Sequence, residues 1–156
     1  MKVRLLQVGK TNGGWVKDGI SEYLSRLSNY IPFEVKDIEI NSLKHKSKDV
    51  LMLEEGKKIL GSIKPGDYVV LLDEGGKLFN SEDFAKWVNK KFAGISNDLV
   101  FVIGGAYGFH ENVKARANEI ISMSPMTFTH QMIRLIFVEQ LYRAMTILKN
   151  EPYHHS

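Results

Sequence analysis

Residues 122–144, SMSPMTFTHQMIRLIFVEQLYRA, constrain the fold more than any other stretch. They open as a loop, because Pro125 disfavours a helical Ser124 and Thr127 or Thr129 is placed to cap a helix beyond it. That helix carries Met132, Ile133, Leu135, Ile136, Phe137, Val138, Leu141 and Met145. These side chains cover well over half of the wheel, whereas a helix packed on one side shows an apolar stripe about 100° wide. The helix therefore needs cover on several sides. The polar residues among them (His130, Gln131, Arg134, Glu139, Gln140 and Arg143) would be costly to bury without partners. The stretch reads either as a central core helix or as a ligand loop joined to a subunit interface.

The remaining chain alternates strand and helix patterns. Residues 3–8 are apolar and strand-like, and the turn Asn12-Gly13-Gly14 precedes Val16, Ile20, Tyr23, Leu24, Leu27 and Tyr30 at helical spacing. Pro32 ends that helix before a second strand over 33–40. Residues 41–49 are polar and basic, with Lys44, His45, Lys46 and Lys48 close together, a solvated loop or an RNA-contacting arm. A helix fits 50–63. The wholly apolar run 68–72 suits a buried parallel strand, with a loop expected over 73–77. Asn80 or Ser81 can cap a helix carrying Phe84, Trp87, Val88 and Phe92. Strand 99–103 runs into Gly104-Gly105-Ala106-Tyr107-Gly108-Phe109, and beyond it lie a helix over 110–118 and a short strand over 120–123.

This alternation specifies an α/β class with a mainly parallel sheet flanked by helices. With 156 residues, no internal repeat and no linker, the chain reads as one domain spanning 1–156. Ligands of such sheets sit beyond the carboxyl ends of the strands. The loops 72–77, 104–109 and 123–128 would gather there. They hold glycines and small polar residues, which suits backbone recognition of a ligand better than an acid–base cluster.

Several chemistries are excluded. The chain has no cysteine, so disulfides, thiolate metal sites and thiol nucleophiles are absent; this suits a reducing cytoplasm. The five histidines show no metal-ligand spacing, so no metal is expected. No apolar run approaches a membrane span of about 20 residues. The glycines 104, 105 and 108 lack the spacing of a dinucleotide fingerprint; no phosphate-loop or GxSxG motif occurs. A net charge of +3 permits an anionic partner without requiring one.

The segments DLVFVIGGAYGFH, SMSPMTFTHQMIRLIFVEQLYRAMTILKNEPYHH and LLDEGGK together resemble the bacterial large-subunit rRNA pseudouridine N3-methyltransferases. That family belongs to the SPOUT, or trefoil-knot, superfamily. The likeness spans the chain, from the opening VGK to the ending EPYHH, and is weakest over 41–58. It implies a deep C-terminal knot, although true knots are otherwise nearly absent from proteins. It also implies a homodimer, and S-adenosyl-L-methionine held bent by Leu72, Gly104, Met123, Ser124, Pro125, Met126, Thr127 and Phe128. Relatives vary at Ala106-Tyr107, where Tyr107 would edge the cofactor or face solvent.

The implied reaction is methyl transfer to N3 of a pseudouridine in 23S rRNA, within the ribosome or large subunit. N3 must lose its proton, which points to His154 as base or relay, to Arg143 or Arg134 as electrostatic support, and to Tyr153 as a contact for the base. The i, i+4 spacing of Glu139 and Arg143 equally suits a helix ion pair. Lys10, Lys17, Arg26, Lys77 and Arg116 are candidate rRNA contacts. Two other readings stay open: a non-catalytic nucleotide-binding module and an RNA-binding ribosome-assembly factor.

Overall fold

The computed structural model describes residues 1–40 and 46–155. In chain order the elements are β1 (Val3–Val8), α1 (Gly14–Leu27), β2 (Phe33–Ile38), α2 (Lys48–Gly61), β3 (Tyr68–Leu78), α3 (Ser81–Gly94), β4 (Leu99–Ile103), α4 (Glu111–Arg116), β5 (Glu119–Ser122) and α5 (Met132–Leu148). The strands lie in the order β2-β1-β4-β3-β5, and every pairing between them is parallel. Both faces are covered, as parallel sheets require. On one face α1, α3 and α5 pack over Leu5, Val70, Leu72, Phe101 and Ile103. On the other, Ile59 of α2 and Val113 of α4 close over Leu6, Val69, Leu71, Val100 and Val102.

The unusually apolar α5 lies against both α1 and α3. It buries Phe137, Val138, Leu141, Ala144 and Met145, and Phe137 meets Phe101 of the central strand at 4.7 Å between ring centroids. Intramolecular packing therefore supplies much of its cover. Asn150 ends the segment in a left-handed turn (φ 55), and the Glu151 amide donates to the Thr146 carbonyl at 2.9 Å.

Three expectations need correction. Residues 73–77 belong to β3 and do not form a connecting loop. Ile121 of β5 is paired with Leu72 and again with Lys77, so residues 73–76 bulge out of the ladder between two stretches that both pair with β5. The bulge demands a glycine, because a Cβ on Gly76 would lie 2.6 Å from the Ile121 carbonyl carbon. The helix expected over 50–63 starts and ends two residues earlier. Ser47 caps it by accepting from the Val50 amide. The strand expected to reach residue 40 ends at Ile38. Of the basic segment, Lys44 and His45 lie outside the described residues.

Candidate functional site

The carboxyl ends of β3, β4 and β5 open into a cavity of about 560 Å³, within the range of small-molecule sites. Its walls are Leu72, Asp73 and Glu74 from β3, Ile103 to Ala106 with Gly108 and Phe109 after β4, Ser122 to Ser124 and Met126 to Gln131 after β5, and Ile133 of α5. Seven of the eight residues expected to line a ligand site are here: Leu72, Gly104, Met123, Ser124, Met126, Thr127 and Phe128. Pro125 is not among them; it sits exposed between two lining residues and shapes the loop only through its backbone.

Short hydrogen bonds shape that loop. Ser122 Oγ donates to the Ser124 carbonyl at 2.9 Å, and the Met126 amide donates to Ser124 Oγ at 2.9 Å. Such serine turns set the backbone without help from a sheet. Thr127 Oγ1 donates to Glu74 at 2.7 Å, tying the loop to the β3 bulge. Thr129 Oγ1 accepts from the Met132 amide at 3.1 Å, so of the two capping candidates Thr129 serves the helix.

The opposite wall is the glycine turn. Gly104 has no positive φ, contrary to what its loop position suggests; Gly108 has one (φ 81). Gly104 is constrained instead by space, since a Cβ would lie 3.1 Å from the Phe109 ring. Behind the turn lies Glu55 of α2, 6% exposed and without a hydrogen-bond partner among the described residues. A Cβ on Gly105 would come within 2.6 Å of its Oε1. Burial pushes the Glu55 carboxyl up from its ordinary range.

Arg134 is fully buried and serves as a strut. Nη2 donates to the Val8 carbonyl at 2.6 Å, Nη1 to Gly9 at 3.1 Å and Thr11 Oγ1 at 3.0 Å, and Nε to the His130 carbonyl at 3.1 Å. It holds the start of α5 to the end of β1, with four of its five N–H donors engaged there. Beside it, Gln131 accepts from the Asn12 amide at 2.7 Å and donates to the Lys10 carbonyl at 3.1 Å.

Arg143, Tyr153 and His154 come together, but away from the cavity. Arg143 Nη2 donates to Glu139 at 2.6 Å and Nη1 lies 3.1 Å from His154 Nδ1. Tyr153 donates to Glu139 at 3.0 Å, and its hydroxyl lies 3.1 Å from that of Tyr23. The tail is therefore packed, not frayed. Burial first, then Tyr23 and Glu139, push the Tyr153 hydroxyl well above its ordinary range. Arg143 sits ten residues beyond Ile133 along α5, roughly 15 Å at helical rise. None of the three lines the cavity of its own chain.

The histidine that does line it is His130, in sequence only one of several polar groups on an apolar helix. Burial and then the charge of Arg134 lower its pKa, which keeps its ring neutral near pH 7. No spacing motif marks it, because the contact that matters is with the ends of distant strands. Tyr107 faces solvent rather than the cavity, with Lys48 Nζ 5.6 Å from its ring centroid. Two candidate rRNA contacts are engaged elsewhere: Arg26 pairs with Glu22 at 2.8 Å, and Arg116 donates to the carbonyls of Lys64 and Asp67.

The family described as "Predicted SPOUT methyltransferase" matches residues 1–154. The chain is 53% identical over 156 residues to "Ribosomal RNA large subunit methyltransferase H" of Parabacteroides distasonis, covering 99% of each. It is 46% identical over 155 residues to the protein of that name from Cytophaga hutchinsonii, covering 99% of this chain and 100% of that one. In fold it is similar to the crystal structure of tRNA (m1G37) methyltransferase from Aquifex aeolicus. The TM-score is 0.56 at 13% identity, over 100% of this chain and 76% of that one.

Proposed function

The chain belongs to the SPOUT methyltransferase family, and from that premise we propose that it methylates N3 of a pseudouridine in 23S rRNA, using S-adenosyl-L-methionine. The observation that carries this reading is 53% identity over 99% of a large-subunit rRNA methyltransferase. Ribosomes or large subunits are the substrate, the bacterial cytoplasm is the place of action, and residues 1–156 act as one catalytic unit. The α5 segment threads the chain into the knot typical of this superfamily.

The cavity suits the cofactor chemically. Leu72, Ile103, Met123, Phe109 and Ile133 are apolar walls that would suit an adenine ring, and Asp73 and Glu74 add two carboxylates of opposite charge to a sulfonium. The loops at Gly104–Ala106 and Met123–Phe128 hold the ligand, and no metal is needed. When bound, S-adenosyl-L-methionine supplies an electrophilic methyl group on a sulfonium. The protein's task is to orient N3 against it and to take the N3 proton. A neutral imidazole can accept that proton, a contribution of typically 10²–10⁴-fold.

Two histidines qualify by different routes. His130 is at the cavity within one chain. His154, with Arg143 beside it as electrostatic support and Tyr153 as a contact for the base, reaches a cavity only across a homodimer. The exposed Met126 and Phe128 at the cavity rim support such an assembly, since a second copy would cover them.

The test compares nucleosides of large-subunit rRNA by mass spectrometry with and without this gene, and then measures methylation in vitro. Loss of one N3-methylated pseudouridine, restored by the protein and S-adenosyl-L-methionine, is the expected result. Cofactor binding without transfer would favour a nucleotide-binding module. Binding to rRNA without cofactor or modified base would favour an assembly factor.

A further inference from the structure

Tyr107 lies outside the cavity lining, on a hydrogen-bonded turn at its edge. β4 runs into Gly104, and Gly105 and Gly108 then pair in an antiparallel bridge, with the Gly108 amide donating to the Gly105 carbonyl at 3.2 Å. Ala106 and Tyr107 are thus the two tip residues of a tight turn, closed by Gly108 at φ 81. Ala106 and Gly108 line the cavity and Tyr107, between them, does not. Its side chain is 52% exposed at the rim.

An exposed tyrosine alone needs no explanation. This one is partnered. Lys48, the first residue of α2, places its ammonium 5.6 Å from the ring centroid, within cation–π range. Each member stands on hydrogen-bonded backbone, the tyrosine on a bridged turn and the lysine on a helix capped by Ser47. A π-face and a cation held together, beside a cavity for a methyl donor, match the two surfaces that a nucleotide presents. The base has a ring to stack, and its phosphate has charge to neutralise. An acidic peptide would use Lys48 and leave the ring idle.

Building on the rRNA-methylation reading, we propose that Tyr107, backed by Lys48, stacks an unpaired base of the rRNA at the rim of the cofactor cavity. It acts on substrate capture and registers the strand against the site. It does not touch the cofactor. Sequence-specific recognition of RNA commonly engages such splayed bases through aromatic rings.

Steady-state methylation of purified large ribosomal subunits tests the assignment with Tyr107→Ala, Tyr107→Phe and Lys48→Gln. Tyr107→Ala should raise KM for subunits at least about fivefold, the low end for a stacked base. Its kcat and calorimetric affinity for S-adenosyl-L-methionine should stay within about twofold, since the side chain lies outside the cavity. Tyr107→Phe should restore the wild-type KM. Lys48→Gln should raise KM less and flatten its salt dependence.

An unchanged KM in Tyr107→Ala overturns the proposal. So does a parallel loss of cofactor affinity, which would make the ring a cavity wall, or an altered elution volume, which would make it a contact between copies. Should the wild-type protein transfer no methyl group, the functional reading fails separately. Filter binding of subunits to wild type and Tyr107→Ala then still decides whether the ring holds RNA.

Discussion

At the scale of single residues, the glycine turn and the carboxyl behind it make a coupled pair. Gly105→Ala alone should destabilise by about 1–3 kcal/mol, the usual cost of overpacking, because the new methyl group meets Glu55. In a Glu55→Ala background the cost should shrink, and a double-mutant cycle in urea measures the difference. Additive losses would mean that the carboxyl moves aside freely. Glu55 also has a definite pH signature. Its folded-state pKa is raised above the ordinary 4.5, so the folded state holds the proton longer than the unfolded one. Stability is unaffected below the unfolded value and falls as pH rises from there through the folded value. Glu55→Gln removes this dependence. The variant should gain on wild type as pH rises, and urea midpoints taken from about pH 4 to 8 should diverge in that direction. Parallel midpoints would show that the carboxyl is solvated after all.

At the scale of elements, the cavity depends on two junctions between segments distant in sequence. One is the Arg134 strut between α5 and the end of β1. Arg134→Ala leaves several buried carbonyls without a donor and should cost at least about 3 kcal/mol, given the worth of hydrogen bonds to charged groups. Arg134→Lys should recover only part of this, because an ammonium lacks the planar fork. Full recovery by lysine, read from denaturant midpoints, would reduce the strut to a charge. The other junction is the bulge of β3 over β5. Gly76→Ala drives a methyl group into the backbone of Ile120 and Ile121, atoms that cannot rotate away. Amide exchange should speed up in β5 before it does in β4, with cofactor affinity falling alongside. Uniform protection in both strands would contradict this role for Gly76.

At the scale of the whole molecule, the question is whether the tail and the cavity belong to one site. His154→Ala should leave calorimetric affinity for S-adenosyl-L-methionine within about twofold and slow single-turnover methylation of ribosomes at least about tenfold, near the low end of base catalysis. His130→Ala is the matched comparison, since His130 lies in the cavity of its own chain. A loss confined to His130→Ala assigns proton transfer to one chain and makes the tail a structural clasp. A loss confined to His154→Ala requires the second copy. A saturating cofactor at 100 times Kd should stabilise the folded protein by about 2.7 kcal/mol. Equal thermal shifts from adenosine triphosphate would indicate a general nucleotide pocket.

Local pattern determined which elements form. Period-3.6 apolar spacing marked α1 and α3, continuous apolar runs marked β3 and β4, and Asn80 supplied a cap that acts within four residues. Alternation of those elements was enough for a parallel α/β sheet, and that topology gathers three strand ends around the cavity. The nature of the ligand was legible only through whole segments resembling a known family. The tertiary structure decided what depends on pairs far apart in sequence. Residues 73–77 look like a glycine loop because glycine is needed there, but the need arises from the backbone of β5. Arg134 and Arg143 are both arginines within one apolar helix; burial makes the first a strut, while the second meets the tail. His130 lines the cavity because β3, β4 and β5 end beside it, a proximity no local spacing encodes.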